Sequence, residues 1–584
     1  MRQRESRDWT SSIAVGAAAT AAAMLLQQAV RVGWQVRSLP ERIMEWLLLF
    51  VPLDLFERGL QQFGASAKEI ALVGIFAGMA VLLMVVATAL ARTASSGWVI
   101  LLTGFGLWLF TMLVIMPLTG AGPFATGLLS NPVLTNSAYL VVFAAFAAVT
   151  ALFAAALDLA GSRRQGGAGV AINRDRRSVL AGLAAACAAL VAYGAGRATS
   201  AGGAAVQSSL PLAAAPTSLP APTATPLPPR AGSGVTLAPP TSAPITPTTV
   251  PTAAAEFATP AAARSLARGE EGSLTAAGRS PGTLAPVITS NTDFYVVTKN
   301  PVADPVLDAN TWRLVIDGEV EHPVQVDYGT LMKLPPIEIT KTLECISNLT
   351  AGCSLAAFGC DLVSTAVWRG ARLGDVLGLA GGLKSSAVAV VFLGYDEFTA
   401  ALAPDAVLDP DSLLVYQMNG QILPREHGYP ARVLVPGRYG MKNTKWVAGI
   451  RAVDQPYADW YQQRGWTKDG FVKTMSRIDV PTDGARLDAG PQRVAGIAYA
   501  GDRGIQRVEV SADGGMTWQA TSLLEQPPGK DVMVRWAATF TMADQPVMLV
   551  VRATDGAGQA QTDDFGLPAP DGGWGQDSIQ VQPA

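Results

Sequence analysis

Histidine is nearly missing from this chain of 584 residues: only His322 and His427 occur, together with four Cys. Two His exclude a multi-histidine metal site within one chain. Four Cys are too few for a disulfide scaffold. Charge is also scarce, at 15% of residues, against about 25% in an average soluble chain. The hydrophobic share is 49% and the net charge −3. Part of the chain is therefore expected in a membrane. No nucleic acid partner is expected, because such a partner would call for a basic face.

The missing charge is concentrated in residues 1–200. A helix needs about 20 apolar residues to cross a bilayer. Five runs qualify: 9–30, 70–91, 98–118, 137–159 and 178–196. None contains His, so a haem held by two His within the membrane is excluded and no haem is expected. Few polar groups within the runs also argue against a transporter with a sensor domain. Arg2, Arg4 and Arg7 precede the first run, and Arg163, Arg164, Arg174, Arg176 and Arg177 precede the fifth. With five spans, the positive-inside rule puts both basic segments in the cytoplasm and everything after 196 outside. "DRRSVLAGLAAACAALVAYG" (175–194) also reads as a twin-arginine export signal. "PERIMEWLLLFVPLDLFERGLQQFG" (40–64) reads as an amphipathic helix on the outer surface, or as a packed loop helix.

Residues 201–285 are rich in Pro, Ala and Thr. Such a composition buries too little apolar surface to offset ordering, and a disordered linker is expected. From 286 aromatics return. Strand-like runs ("TWRLVIDGEV", "AVAVVFLGY", "ARVLVPG") alternate with helical patterns such as "RGARLGDVLGLAGG". An α+β domain is expected over 286–480. Alternating strands with Asp-Gly and Gly-Gly turns then predict an all-β sandwich over 481–584.

Within the α+β domain, "TLECISN" (342–348) places Cys345 at the end of an apolar run. By itself a lone Cys is a small core residue, and His427 could be cast as base for a thiol nucleophile. Several other stretches accompany it: "FYVVTKN" (294–300), "WRLVIDGEVEHP" (312–323), "STAVWRGARLGDVL" (364–377), "HGYPARVLVPGRYGMKNTKW" (427–446), "KTMSRID" (473–479) and "VEVSADGGMTW" (508–518). In this order the set resembles the sulfite oxidase family of molybdopterin enzymes, over about residues 286–584. The resemblance implies a molybdopterin-binding domain followed by an immunoglobulin-like sandwich often used for dimerisation. It implies that Cys345 ligates molybdenum, one per chain, beside sulfurs brought by the pterin. A soft thiolate suits that role. The pterin and its phosphate would be held by His427, Arg432, Gly440, Lys442, Asn443, Thr444 and Lys445, with Asn291, Tyr295 and Asn300 from the earlier segment. Tyr416 would line the substrate pocket.

The resemblance implies two-electron oxygen-atom transfer on a small sulfur-containing substrate. Electrons would pass to a separate cytochrome or the quinone pool. Sulfite-oxidising members place arginines after the ligand Cys; here "ISNLTAG" follows, and Lys299 is the one cation of the early segment. A sulfoxide reductase of the same family, including one for methionine sulfoxide, therefore stays open. So does a cofactor-free binding module on a stalk. Cys353 and Cys360 sit in an insertion after the ligand segment; outside the membrane they are expected to form a disulfide, with two free thiols as the alternative.

Overall fold

The computed structural model describes residues 9–164 and 278–584, apart from parts of 53–66 and short stretches at 95, 129–130, 301–302 and 354–358. The expected fifth span at 178–196 and most of the expected linker lie outside the described residues.

Four apolar helices follow from the charge-free runs: α1 (Trp9–Gly33), α3 (Ala67–Thr93), α4 (Gly97–Phe110) and α5 (Pro132–Arg164). α4 continues through a π-turn at Thr111–Ile115 to Leu118. Each is long and apolar enough to cross a membrane. Small residues let them approach closely. A Cβ on Gly16 would meet Thr88 Oγ1 at 2.2 Å, and one on Gly104 would meet the Ala147 Cβ at 2.5 Å. The short helix α2 (Leu39–Leu47) follows α1. It starts with a capping box: Ser38 Oγ accepts from Glu41 N, and Glu41 answers on Ser38 N. This segment is the first part of the expected helix over 40–64, and it is packed: Pro40, Glu41, Arg42 and Met44 are buried.

The chain packs onto its second half from residue 278. Arg279 pairs with Asp361, and Ala285 N donates to Asp479. One sheet runs in the order β2 (Val324–Asp327), β1 (Arg313–Gly318), β10 (Val447–Val453), β5 (Ala389–Gly394), β6 (Thr399–Leu402). A second runs β3 (Pro336–Glu344), β4 (Val363–Arg372), β7 (Leu413–Met418), β8 (Gln421–Ile422), with β9 (Arg432–Leu434) also on β7. Their shared core includes Trp312, Phe392, Leu414 and Val433. The buried indoles are satisfied: Trp312 Nε1 donates to Val447 O at 2.9 Å and Trp368 Nε1 to Lys341 O at 3.1 Å.

Residues 475–583 form two further sheets. One is β11 (Met475–Val480), β13 (Gly490–Tyr499), β17 (Val534–Met542), β16 (Ser522–Leu523). The other is β12 (Arg486–Leu487), β19 (Asp577–Pro583), β18 (Val547–Asp555), β14 (Ile505–Ser511), β15 (Gln519–Ala520). Val494, Trp536, Val510, Val551 and Val581 form a single core between them. This is the alternation seen in the sequence: one side of each strand turned inward.

Candidate active site

Strand β3 ends at Glu344, and the chain turns at Cys345, the next residue. The turn is fixed by hydrogen bonds. Cys345 N donates to Leu362 O at 2.9 Å, and Asn348 N donates to Cys345 O at 2.9 Å. The Asn348 side chain bonds Glu344 Oε1 at 2.8 Å and accepts from Leu362 N at 3.0 Å. The thiol is 6% exposed and not in a disulfide.

Cys345 lines a pocket with about 730 Å³ of empty space, its open mouth included. Three further segments build the rest, the first far in sequence from the other two. Phe294 to Lys299 form one wall. Glu426, His427 and Arg432 form the second; Gly440, Asn443, Lys445 and Trp446 form the third. Asp396, Phe398 and Tyr461 close the rim.

The electrostatics favour an anion. Arg432 is buried, and its Nη atoms donate only to the carbonyls of His427 (3.1 Å) and Asn443 (3.2 Å). Its Nε has no partner. Burial lowers this guanidinium to about 10. Lys445 donates to Glu426 O at 2.9 Å and lies over the Trp446 ring at 4.2 Å. Burial lowers it to about 8. Burial also lowers His427 to about 3, with Arg432 and Lys445 adding to the effect. Its Nε2 faces Asn291 O at 2.9 Å. A carbonyl only accepts, so Nε2 carries the proton and the ring is neutral. Gly440 packs closely on Tyr295: a Cβ there would stand 2.9 Å from the Tyr295 hydroxyl.

Of the residues expected here, Cys345, Tyr295, His427, Arg432, Gly440, Asn443 and Lys445 converge on the pocket. Others stand behind it. Asn291 braces His427 through its carbonyl and bonds Asn419 at 2.8 Å. Asn300 bonds Asp304 at 3.0 Å and Asp396 at 3.3 Å. Thr444 is buried outside the lining, its carbonyl accepting from Val433 N at 2.8 Å. Two expected residues do not line the pocket. Lys442 is fully buried and paired with Asp459, outside the pocket lining although its neighbours Met441 and Asn443 belong to it; a buried cation is held by the nearest carboxylate. Tyr416 belongs to the core beside Tyr328, at 6.4 Å between ring centroids, because its side of β7 faces the neighbouring sheet. Cys353 and Cys360 are disulfide-bonded, with Cα atoms 5.2 Å apart, outside the pocket lining. Asp396, Phe398, Glu426 and Tyr461 were missed by sequence reasoning. No local pattern marks them, and the fold alone brings them to the rim.

Among the described residues, no three His, Cys, Asp or Glu side chains gather as a metal site. Cys345 could therefore hold a metal only beside ligands brought by a cofactor. The thiol, the unpartnered Arg432 Nε and Lys445 fit an anionic cofactor of that kind.

Comparisons with known proteins agree. Residues 301–461 match the family model "oxidoreductase molybdopterin binding domain", and 467–566 match "Mo-co oxidoreductase dimerisation domain". The chain is 35% identical to mitochondrial sulfite oxidase of Mus musculus over 279 residues, 42% of this chain and 51% of that one. It is 28% identical to sulfite oxidase of Arabidopsis thaliana over 320 residues, 46% of this chain and 80% of that one. It is 32% identical to nitrate reductase [NADH] of Ulva prolifera over 266 residues, 38% of this chain and 31% of that one. The chain thus spans about half the length of its mammalian relatives.

Proposed function

Because its second half belongs to the sulfite oxidase family of molybdopterin oxidoreductases, we propose that this chain is a membrane-anchored enzyme of two-electron oxygen-atom transfer. Its substrate is a small sulfur-containing molecule, and its site lies on the extracytoplasmic side. One observation carries the reading: a lone thiol shares a buried pocket with an arginine whose Nε is left unpaired. When bound, molybdopterin supplies a metal centre that changes oxidation level as an oxo group is given or taken. Cys345 holds that metal as a thiolate, one per chain. Arg432 and Lys445 neutralise the anionic cofactor, and neutral His427 and Asn443 offer hydrogen bonds. Phe294 and Tyr461 keep water from the site. The helices contain no His, so the reading includes no haem; electrons pass to a separate cytochrome or the quinone pool. The immunoglobulin-like sandwich serves as a homodimer contact, in line with its family match.

The geometry of the helices supports the side. α1, α3, α4 and α5 each cross once, which returns the chain to the side of its N-terminus. α2 lies at the opposite end, where the oxidoreductase half touches it: Arg42 bonds Glu397. By the positive-inside rule, Arg2, Arg4 and Arg7 support a start of the chain on the cytoplasmic side.

A second reading, reduction of a sulfoxide, is favoured by the fate of the cations. Arg369 and Arg372 are exposed on β4, outside the pocket lining, and Lys299 is paired with Glu45 at 3.0 Å. The deciding experiment is elemental analysis of the detergent-purified full chain from a pterin-competent host, wild type beside Cys345→Ser. About one molybdenum per wild-type chain and at least a tenfold loss in the variant are expected. A folded, metal-free wild type would sink the reading in favour of the stalked binding module. Assays with sulfite and with methionine sulfoxide then choose the direction.

A further inference from the structure

The corner between α1 and α2 does not stand clear of the oxidoreductase half. Arg42 donates to both carboxylate oxygens of Glu397, at 2.9 and 2.6 Å, and its side chain is 2% exposed. Arg37 grips Glu45 in the same two-point manner, at 2.7 and 2.5 Å. Glu45 also accepts from Lys299 Nζ at 3.0 Å, and its carbonyl accepts from Arg464 Nη2 at 3.0 Å. Arg31 Nη2 reaches Ala303 O at 2.9 Å, and Gln35 Oε1 accepts from Val306 N at 3.1 Å.

These contacts surround the pocket rim. Lys299 is itself a pocket-lining residue. Glu397 sits in the turn between β5 and β6, between the lining residues Asp396 and Phe398. Arg464 lies over the Trp460 ring at 3.6 Å, and Tyr461 next to it lines the pocket. Burial alone would raise the Glu45 carboxyl, but Arg37 and Lys299 beside it hold it well below the usual range. Two-point pairs in a buried setting are specific in geometry. Removing one member strands the other charge away from water.

We propose that residues 31–45 are a docking clamp by which the helical half grips the oxidoreductase half, so that Glu45 and its support of Lys299 form a working part of the pocket rim. The pocket is then fixed close to the membrane surface instead of roaming on a tether. This rests on the membrane-anchored oxidoreductase reading for its purpose, while the docking itself can be tested alone.

The test uses the detergent-purified full chain, with an affinity tag at the N-terminus and a protease site placed within 201–277. After cleavage, retention of the C-terminal half on the tagged half is measured, together with acetylation of Lys299 by a water-soluble ester. In the wild type more than about nine-tenths of the C-terminal half is expected to stay bound, with Lys299 protected. Arg42→Glu should lower retention and raise Lys299 labelling at least tenfold each. Glu397→Arg should lower retention likewise, and the two together should restore it. Separation of the cleaved wild-type halves would overturn the proposal. So would Lys299 labelled as readily in the wild type as in Arg42→Glu. Molybdenum in the same eluate is read separately: metal-free halves that stay together would remove the cofactor reading and leave the docking.

Discussion

Lys445 shows how a single side chain carries a testable consequence. Without cofactor, burial holds its ammonium at about 8, with Arg432 pushing down and Asp304, Asp396 and Glu426 pulling up. An anionic cofactor needs the charged form. Cofactor uptake by the apoprotein should therefore be level below pH 8 and fall above it. Lys445→Arg keeps its charge throughout, so the fall should vanish or move more than one pH unit upward; uptake measured from pH 6 to 10 checks this. Cys345 and Arg432 were legible in the sequence because the motifs around them are contiguous. Lys442 shares the "GMKNTKW" run, yet its ammonium pairs with Asp459 and it does not line the pocket.

At the scale of elements, periodicity did most of the work. Charge-free runs gave the helices, and alternation gave the strands. What periodicity cannot reveal is how near two elements lie. A Cβ on Gly496 in β13 would stand 1.8 Å from Arg477 O and 2.9 Å from Trp536. Gly496→Ala should therefore destabilise the chain by about 3 kcal/mol or more. Gly378 has open space around its missing Cβ, and Gly378→Ala should stay within about 0.5 kcal/mol. Thermal denaturation of the two variants side by side measures the difference. α2 makes the same point. Its amphipathic pattern left a surface helix and a packed one both open, and the tertiary structure packs it: Arg42 and Glu45 meet Glu397 and Lys299 from the other half of the chain, while Glu41 pairs with Arg31.

For the whole molecule, stability against pH reports on a buried carboxyl. Burial raises Asp577 to about 7, although Ile478 N donates to it at 2.9 Å and Arg477 lies near. The unfolded chain releases this proton near pH 4. Between about pH 4 and 7 the folded state binds more protons, so this group's contribution falls as pH rises and levels off above 7. The swing is up to about 4 kcal/mol. Asp577→Asn cannot titrate, so its melting temperature should drop less than the wild type's between pH 5 and 8. Equal drops in the two proteins would contradict this assignment.

The sequence by itself determined the four described apolar helices, most of the strands and the place of Cys345 at the end of β3. All of these rest on interactions between near neighbours, on helical or strand period and on turn chemistry. Only the tertiary structure decided which side chains share the pocket. It brought in Tyr461 and Asp396, left Tyr416 and Lys442 outside the lining, and set Glu45 against Lys299. Such meetings depend on how distant segments cross. That is settled by the burial of whole faces and by the pairing of charges that cannot reach water, neither of which leaves a local trace.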